Sequence, residues 1–274
     1  MDLLRVENLT KKFGELVAVN NISFSIKEKG VLSIIGPNGA GKTTFFNLLT
    51  GFYVPTSGKI YLRDEDITGL PPFAIVHKKL SRSFQIASYF PDFTIFENIQ
   101  IGVLNRLGYG FSFFSNTDRL SDVNEETEKY MEMLGLKSQK NMKAKFLSHG
   151  DKKILDIAMS LTLNPEILLL DEPTSGVSGT ERAKVIEFIS KLAKDIKVVV
   201  VEHDMDIVFS ISERIAVLAQ GSILADGTVE EIRKNEDVQR AYLGEEEEEE
   251  KKGEDKDAVS RKNKWLVWRS QSFT

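Results

Sequence analysis

Four short segments of the chain are almost continuously apolar, and charged or turn-forming residues bound each of them. A strand that helices cover on both faces has this pattern, whereas a strand with one face in water alternates apolar and polar residues. The four segments are VLSII (31–35), EILLLD (166–171), KVVVVE (197–202) and RIAVLA (214–219). We predict that they are buried strands of one sheet.

Helical spacing is found between these strands. In TERAKVIEFISKLAKD (180–195), one stripe carries Val185, Ile186, Ile189 and Leu192. Strands that alternate with helices along a chain are typical of a parallel α/β sheet. We therefore predict an α/β fold with a parallel sheet.

The N-terminal part of the chain has a different period. Ile22, Phe24 and Ile26 alternate with polar residues before a turn at Gly30, and GKIYLRDEDITG (58–69) repeats the alternation. Alternation indicates half-buried strands with one face toward solvent. We expect a small antiparallel sheet in this region.

Residues 93–147 interrupt the alternation of strands and helices. TIFENIQIGVL (94–104) and NEETEKYMEMLGL (124–136) have helical spacing, and the Phe-rich segment GYGFSFFSNTD (108–118) separates them. We predict a helical insert in the sheet domain. Its phenylalanines either pack against the helices or contribute to a partner surface.

An acidic block, Glu245 to Glu250, opens a C-terminal tail of mixed charge. Self-repulsion predicts that the block is disordered, and the basic end with Trp265 and Trp268 is either a loose extension or a contact with a partner or a membrane surface. The predicted organisation has four parts. They are an N-terminal β subdomain with the first part of the core (1–92), a helical subdomain (93–160), the remainder of the core (161–244) and the tail (245–274).

Composition narrows the classes of function. The 274 residues are 41% hydrophobic and 28% charged, which is typical of a soluble globular protein. The net charge of −5 gives no electrostatic reason to expect a nucleic-acid partner, and the absence of cysteine excludes disulfides and thiolate metal sites. The sequence has neither the pattern of a signal peptide nor an apolar run of about 20 residues, so we expect a cytoplasmic protein that a partner would hold at a membrane.

The segment GPNGAGKTT (36–44) follows the first buried strand and precedes an amphipathic helix. It fits G-x-x-x-x-G-K-[ST], in which the glycines let the backbone N–H groups converge on a phosphate. The helix N-terminus adds partial positive charge, Lys42 adds a full charge at the β- and γ-phosphates, and Thr43 offers a hydroxyl to Mg²⁺. The residues that we predict to bind the nucleotide here are Gly36, Pro37, Asn38, Gly39, Ala40, Gly41, Lys42, Thr43 and Thr44.

Two acidic residues end the second buried strand, in ILLLDEPT (167–174). Ligands of parallel sheets bind outside the carboxyl ends of the strands. Asp171 is therefore predicted to hold Mg²⁺, through a water, and Glu172 to orient or polarise the attacking water. Two such acids alone would indicate a surface turn, but their combination with the phosphate loop favours a hydrolytic site.

These motifs and their order resemble the ATPase subunit of an ABC transporter over residues 3–244. LSHGD (147–151) resembles the signature segment of that family, with Ser148 and Gly150 retained. The resemblance implies a P-loop NTPase core, ATP and Mg²⁺ as cofactors, and contact of Ser148 and Gly150 with the ATP that a second cassette holds.

The chain departs from the family in three positions. His149 and Asp151 replace a glycine and a glutamine of the signature, and Ser178 replaces a common aspartate. A carboxylate that pointed at the nucleotide would repel it. We therefore expect Asp151 to point away from the nucleotide and to cap its helix.

The resemblance implies roles for three further residues. Phe13 of KKFGELVAV would stack on the adenine, Gln85 of SRSFQ would sense the γ-phosphate and Mg²⁺, and His203 of VVVEHDM would contact the γ-phosphate. The implied catalytic set is Lys42, Gln85, Glu172 and His203, and the implied metal ligands are Thr43, Gln85 and Asp171.

The partners implied by the resemblance are transmembrane permease subunits and a second ABC ATPase subunit, which is either an identical chain or a similar one. The protein would then lie at the inner face of the cell membrane. The segments LSHG, VEHDMDIVFSISERIAVLAQG, ILADGT and VQRAYLGE resemble the branched-chain amino-acid and urea uptake group. This similarity implies ATP-driven import of a small polar solute.

Three alternatives remain open at this point. The first is an ABC exporter subunit, for example for lipid. The second is a soluble ABC ATPase of translation or DNA repair, and the third is a GTPase switch or small-molecule kinase. A single set of motifs without sustained heptads disfavours the soluble ABC class. The missing N-K-x-D pattern disfavours a GTPase.

Overall fold

The computed structural model describes residues 2–27, 29–83, 89–109 and 117–242. Its strands are β1 (Leu4–Phe13), β2 (Leu16–Ile26), β3 (Gly30–Ile35), β4 (Ser57–Leu62), β5 (Glu65–Asp66), β6 (Leu80–Arg82), β7 (Ile167–Asp171), β8 (Lys197–Val201), β9 (Arg214–Ala219) and β10 (Ser222–Gly227). Its α-helices are α1 (Lys42–Leu49), α2 (Pro72–His77), α3 (Ile95–Arg106), α4 (Thr117–Met133), α5 (His149–Leu161), α6 (Gly179–Leu192), α7 (Met205–Ile211) and α8 (Val229–Lys234), with 3₁₀ turns at Lys137–Gln139 and Ala144–Phe146. The predictions for the tail and for most of the Phe-rich segment fall outside the described residues.

The core is a six-stranded sheet with the order β10-β9-β3-β8-β7-β6. Strands β6, β7, β8, β3 and β9 are parallel, and β10 is antiparallel to β9. The four apolar segments form β3, β7, β8 and β9, so the predicted parallel sheet is confirmed. The three-residue strand β6 was not predicted, because so short a segment has no readable period.

Both faces of this sheet are buried, which explains why its strands are apolar throughout. On one face, Leu32, Ile34 and Leu169 belong to a hydrophobic cluster with α1 and the N-terminal sheet. On the other face, Leu168 and Leu170 pack in a cluster that includes residues of α5 and α6.

The apolar stripe of α6 differs from the prediction at one position. Val185, Ile189 and Leu192 are buried, but Ile186 is only half-buried and Phe188 enters the core in its place. The buried stripe of α6 is therefore rotated slightly around the helix axis relative to the predicted stripe, because packing against the sheet determines which side chains are covered.

The N-terminal sheet has the order β2-β1-β4-β5, and all of its pairs are antiparallel. Ile22, Phe24 and Ile26 point into the cluster shared with α1, as their alternation predicts. Backbone contacts attach this sheet to the core, since the N–H of Asn20 donates to the carbonyl of Gly221 at 2.8 Å.

Helices α3, α4 and α5 enclose a hydrophobic cluster of their own. Helix α5 joins this cluster to the core, because Leu155 and Ala158 lie in the helical cluster while Ile154 and Ile157 pack against the sheet. The boundaries of the four predicted parts remain predictions. Within the described residues, no helix is both long enough and apolar enough to cross a bilayer.

Candidate active site

The strands that carry the predicted site residues end at one edge of the core sheet. Ile34 in β3, Val201 in β8 and Asp171 in β7 occupy one row across the sheet. The glycine-rich loop begins soon after β3, Glu172 follows β7 directly, and His203 lies two residues beyond β8. The tertiary structure thus brings three distant segments of the chain to the same edge.

Two glycines allow the loop before α1 to press against neighbouring backbone. Gly41 has φ 98°, and a Cβ there would lie 2.4 Å from the carbonyl oxygen of Ala18 in β2. Gly36 has φ 152°, and a Cβ there would lie 2.1 Å from the carbonyl oxygen of Leu218 in β9. Any other residue at these positions would push the loop away from both sheets.

The loop curls around the ammonium group of Lys42. This side chain is only 7% exposed, and its Nζ donates to the carbonyl oxygens of Gly36 at 2.6 Å and Pro37 at 2.8 Å. A buried cation at a helix N-terminus, inside a curled glycine-rich backbone, favours a bound anion. The chemistry of this cradle fits the phosphates of a nucleotide.

The oxygen groups beside the loop fit Mg²⁺. Thr43 is exposed at the first turn of α1, and Asp171 ends β7. Mg²⁺ takes oxygen ligands and usually combines one or two protein groups with phosphates and water. Among the described residues, no group of three or more histidine, aspartate or glutamate side chains could hold a metal ion by itself. Gln85, the third predicted metal ligand, lies outside the described residues.

Asp171 is held by a buried arginine. Nη2 of Arg82 donates to Oδ2 of Asp171 at 2.6 Å, and Nη1 donates to Oδ1 of Asn47 in α1 at 2.6 Å. Sequence patterns did not single out Arg82 or Asn47. No sequence signal marked them, because β6 is too short to be read as a strand and the partner of Arg82 depends on packing.

Glu172 and His203 are in direct contact. Oε1 of Glu172 lies 2.6 Å from Nε2 of His203, and both side chains reach solvent. Glu172 has φ 48°, a left-handed conformation that is costly for a glutamate and is typical of functional sites. A carboxylate and an imidazole at hydrogen-bond distance can orient a water molecule and accept its proton.

A second carboxylate, Glu202, lies behind this pair. It accepts the backbone N–H of Thr174 at 2.9 Å and the hydroxyl of Thr174 at 2.7 Å. Burial raises the pKa of Glu202, and the nearby charge of Glu172 raises it further, while the donors from Thr174 and the backbone of His203 oppose the shift. In the sequence, Glu202 comes at the end of an apolar run, as Asp171 does. This position was the signal that could have identified Glu202.

Phe13 lies at the end of β1, in the hairpin that flanks the loop. Its ring is partly exposed, meets the ring of Tyr53 edge to face at 5.3 Å, and has Nζ of Lys11 5.0 Å from its centroid. Since Ala18 of the same hairpin contacts Gly41, the partly exposed ring of Phe13 belongs to the hairpin that packs beside the loop. Tyr53 was not predicted.

Ser148 and Gly150 begin α5. Ser148 is the N-cap, since its hydroxyl accepts the backbone N–H of Asp151 at 3.2 Å. The expectation that Asp151 caps the helix is therefore wrong; its carboxylate turns back to the Ser148 hydroxyl at 3.0 Å. Gly150 is buried against α6, where a Cβ would lie 2.9 Å from Cβ of Glu181.

Comparison with known proteins agrees with this geometry. The profile of the ABC transporter family matches residues 19–175, and that of the branched-chain amino acid ATP-binding cassette transporter family matches residues 222–248. The chain is 43% identical to the high-affinity branched-chain amino acid transport ATP-binding protein LivG of Salmonella typhimurium. The alignment covers 89% of this chain and 98% of LivG.

The solved structures that share the fold include the following two. One is the ADP conformation of MJ1267, an ATP-binding cassette of an ABC transporter, with a TM-score of 0.78, 32% identity and coverage of 89% of this chain and 99% of MJ1267. The other is a dimeric post-hydrolysis state of the ATP-binding cassette MJ0796 bound to ADP and Pi, with a TM-score of 0.67, 27% identity and coverage of 82% and 98%. Because the family profile spans more than half of the chain, and the similarity to LivG spans nearly all of it, the chain belongs to the ABC transporter family and is one of its ATP-binding cassettes.

Proposed function

We propose that this cassette hydrolyses ATP to drive the import of branched-chain amino acids or related small polar solutes. The observation that carries the proposal is the similarity to LivG, which extends over 98% of that protein. Membership of the family sets aside the GTPase and small-molecule kinase alternatives. The arrangement of the site supports hydrolysis as the chemistry.

Each side chain of the site has a task in that chemistry. The loop amides and Lys42 bind the phosphates, and Phe13 stacks on the base. Thr43 and Asp171, with Gln85, would hold Mg²⁺, which when bound neutralises phosphate charge.

Glu172 orients the attacking water and takes up its proton. His203, 2.6 Å away, orients the Glu172 carboxylate and contacts the γ-phosphate. Catalysis is therefore mainly positioning and charge stabilisation.

The active form is proposed to be a dimer of cassettes. Ser148 and Gly150, at the N-terminus of α5, would contact the ATP that is bound in the loop of the opposite cassette. ATP then acts as an interface ligand, and its hydrolysis weakens the interface. The dimeric structure of MJ0796 supports this arrangement.

The partners are proposed to be transmembrane permease subunits, which hold the cassette at the inner face of the membrane. Opening and closing of the cassette dimer would pass to them through the Gln85 segment and the helical insert. The name of LivG, a branched-chain amino acid transport ATP-binding protein, suggests the class of solute, while other subunits select the solute itself.

The test is purification of the tagged protein from detergent-solubilised membranes. Mass spectrometry should identify integral membrane subunits, and the reconstituted complex should accumulate labelled leucine in an ATP-dependent manner. Release of solute in place of uptake would indicate an exporter. Purification without any integral subunit would indicate a soluble ABC ATPase and contradict the proposal.

A further inference from the structure

Glu202 is a buried carboxylate that the chemistry described above does not use. It is 4% exposed and lies between β8 and His203. Its Oε1 atom accepts both the backbone N–H and the hydroxyl of Thr174, at 2.9 and 2.7 Å.

These contacts attach the turn after β7 to the end of β8. The backbone N–H of Glu172 donates to the carbonyl of Val201 at 2.9 Å, and two residues later Thr174 is bound to Glu202. The turn is thus fixed at two points, one at Glu172 itself and one at Thr174. Glu202 directly precedes His203 in the chain, so the second point also lies next to the histidine.

Glu202 is too deeply buried to act on a nucleotide directly. Its side chain is enclosed by protein, and one oxygen, Oε1, accepts both hydrogen bonds from Thr174. A glutamine keeps a carbonyl oxygen that can accept both bonds, whereas a leucine leaves the two donors of Thr174 without an acceptor. The acceptor oxygen of Glu202 therefore holds the geometry of this turn.

We propose that Glu202 is a positioning residue, which sets the contact between Glu172 and His203 by binding Thr174 and so holding the turn that carries Glu172 against the end of β8, next to His203. This inference rests on the proposed function, because it assumes that Glu172 and His203 act in ATP hydrolysis. Glu202 itself touches no reacting atom.

The kinetic test compares Glu202→Leu and Thr174→Val with wild-type protein, full-length in each case. Both variants should bind a fluorescent ATP analogue within twofold of wild type but hydrolyse ATP at least tenfold more slowly, because only the orientation of Glu172 changes. Thr174→Ser keeps the hydroxyl and should resemble wild type. Thr127→Val is the matched control, since Thr127 is also buried and its hydroxyl donates to the carbonyl of Val123 within α4.

A structural readout follows the histidine ring directly. The chain has only three histidines, so the NMR signal of the His203 ring can be assigned with His203→Gln. Glu172→Gln should move this signal, and Glu202→Leu should move it as well. Thr174→Val provides the same test if Glu202→Leu does not fold.

Wild-type turnover with an unmoved His203 signal would overturn the inference. Equal losses of binding, turnover and melting temperature, as in a general loss of stability, would also overturn it. If wild-type protein hydrolyses no ATP, the proposed function fails, and the NMR comparison still decides whether Glu202 positions the pair.

Discussion

The guanidinium group of Arg82 lies 2.6 Å from the carboxylate of Asp171, and the two side chains are only 9% and 5% exposed. Arg82 also bonds to Asn47, so one side chain connects β6, β7 and α1. The carboxylate that we predict to hold Mg²⁺ is thereby fixed relative to the helix that begins at Lys42.

Arg82→Met should destabilise the protein strongly. Removing one partner of a buried ion pair leaves an uncompensated charge and typically costs about 3–5 kcal/mol. Urea unfolding followed by circular dichroism measures this loss. The matched control is Arg63→Met, since Arg63 pairs with Glu166 at the opposite end of β7, where the side chains are much more exposed. A partly exposed pair contributes about 0–1 kcal/mol, so equal losses in the two variants would contradict the prediction.

Lys42→Ala should lose most of the affinity for ATP. Hydrogen bonds to charged groups contribute about 1.5–3 kcal/mol, which corresponds to about a 10- to 160-fold higher dissociation constant. Titration with a fluorescent ATP analogue measures this dissociation constant. Lys59→Ala, which removes an exposed lysine paired with Asp66, serves as the control. Unchanged affinity in Lys42→Ala would refute the assignment of the phosphate loop.

Glu172→Gln should bind ATP but hydrolyse it about 10²- to 10⁴-fold more slowly, because the amide cannot accept a proton from water. Since the nucleotide is not consumed, dimers should accumulate with ATP on a sizing column. A phosphate-release assay gives the rate. Turnover equal to that of wild type would remove Glu172 from its assigned role.

Ser148→Arg in the Glu172→Gln background should abolish the ATP-dependent dimer. The longer side chain at the start of α5 would block the approach of the opposite cassette, while the affinity of each single chain for ATP stays unchanged. Thr228→Arg is the matched control, because Thr228 is the N-cap of α8 in the same way. A dimer that persists in Ser148→Arg would exclude the signature segment from the interface.

The stability of the protein should show opposite pH dependences at two glutamates. Burial raises the pKa of Glu202, so the folded state binds more protons than the unfolded state, and the stability of wild type relative to Glu202→Gln should fall as the pH rises through the raised pKa. At Glu97, hydrogen bonds from Thr94 lower the pKa. The stability of wild type relative to Glu97→Gln should therefore fall as the pH drops below the ordinary range of a glutamate. Urea unfolding across the pH range measures both differences in stability. The same direction of pH dependence at Glu202 and Glu97 would contradict the opposite pKa shifts.

The sequence by itself determined which strands are buried and which loop we propose as the phosphate site. Continuous apolar runs predicted β3, β7, β8 and β9, because a strand covered on both faces has no polar side. The loop motif is equally local, since Gly36, Gly41 and Lys42 are neighbours in the chain and their conformations follow from residue type. Asp171 and Glu172 were predicted because they end a buried strand.

The tertiary structure alone decided which side chains meet around these groups. Arg82 and Asp171 are 89 residues apart, and Thr174 and Glu202 are 28 residues apart. No periodicity connects such residues, because their contact depends on the order of β6, β7 and β8 in the sheet. The same holds for Phe188, which takes the core position predicted for Ile186. The cap of α5 is instead a local feature, because Ser148 and Asp151 are only three residues apart. Local patterns determine what a segment can become, whereas the partner of a buried charge is set by packing between segments that are distant in sequence.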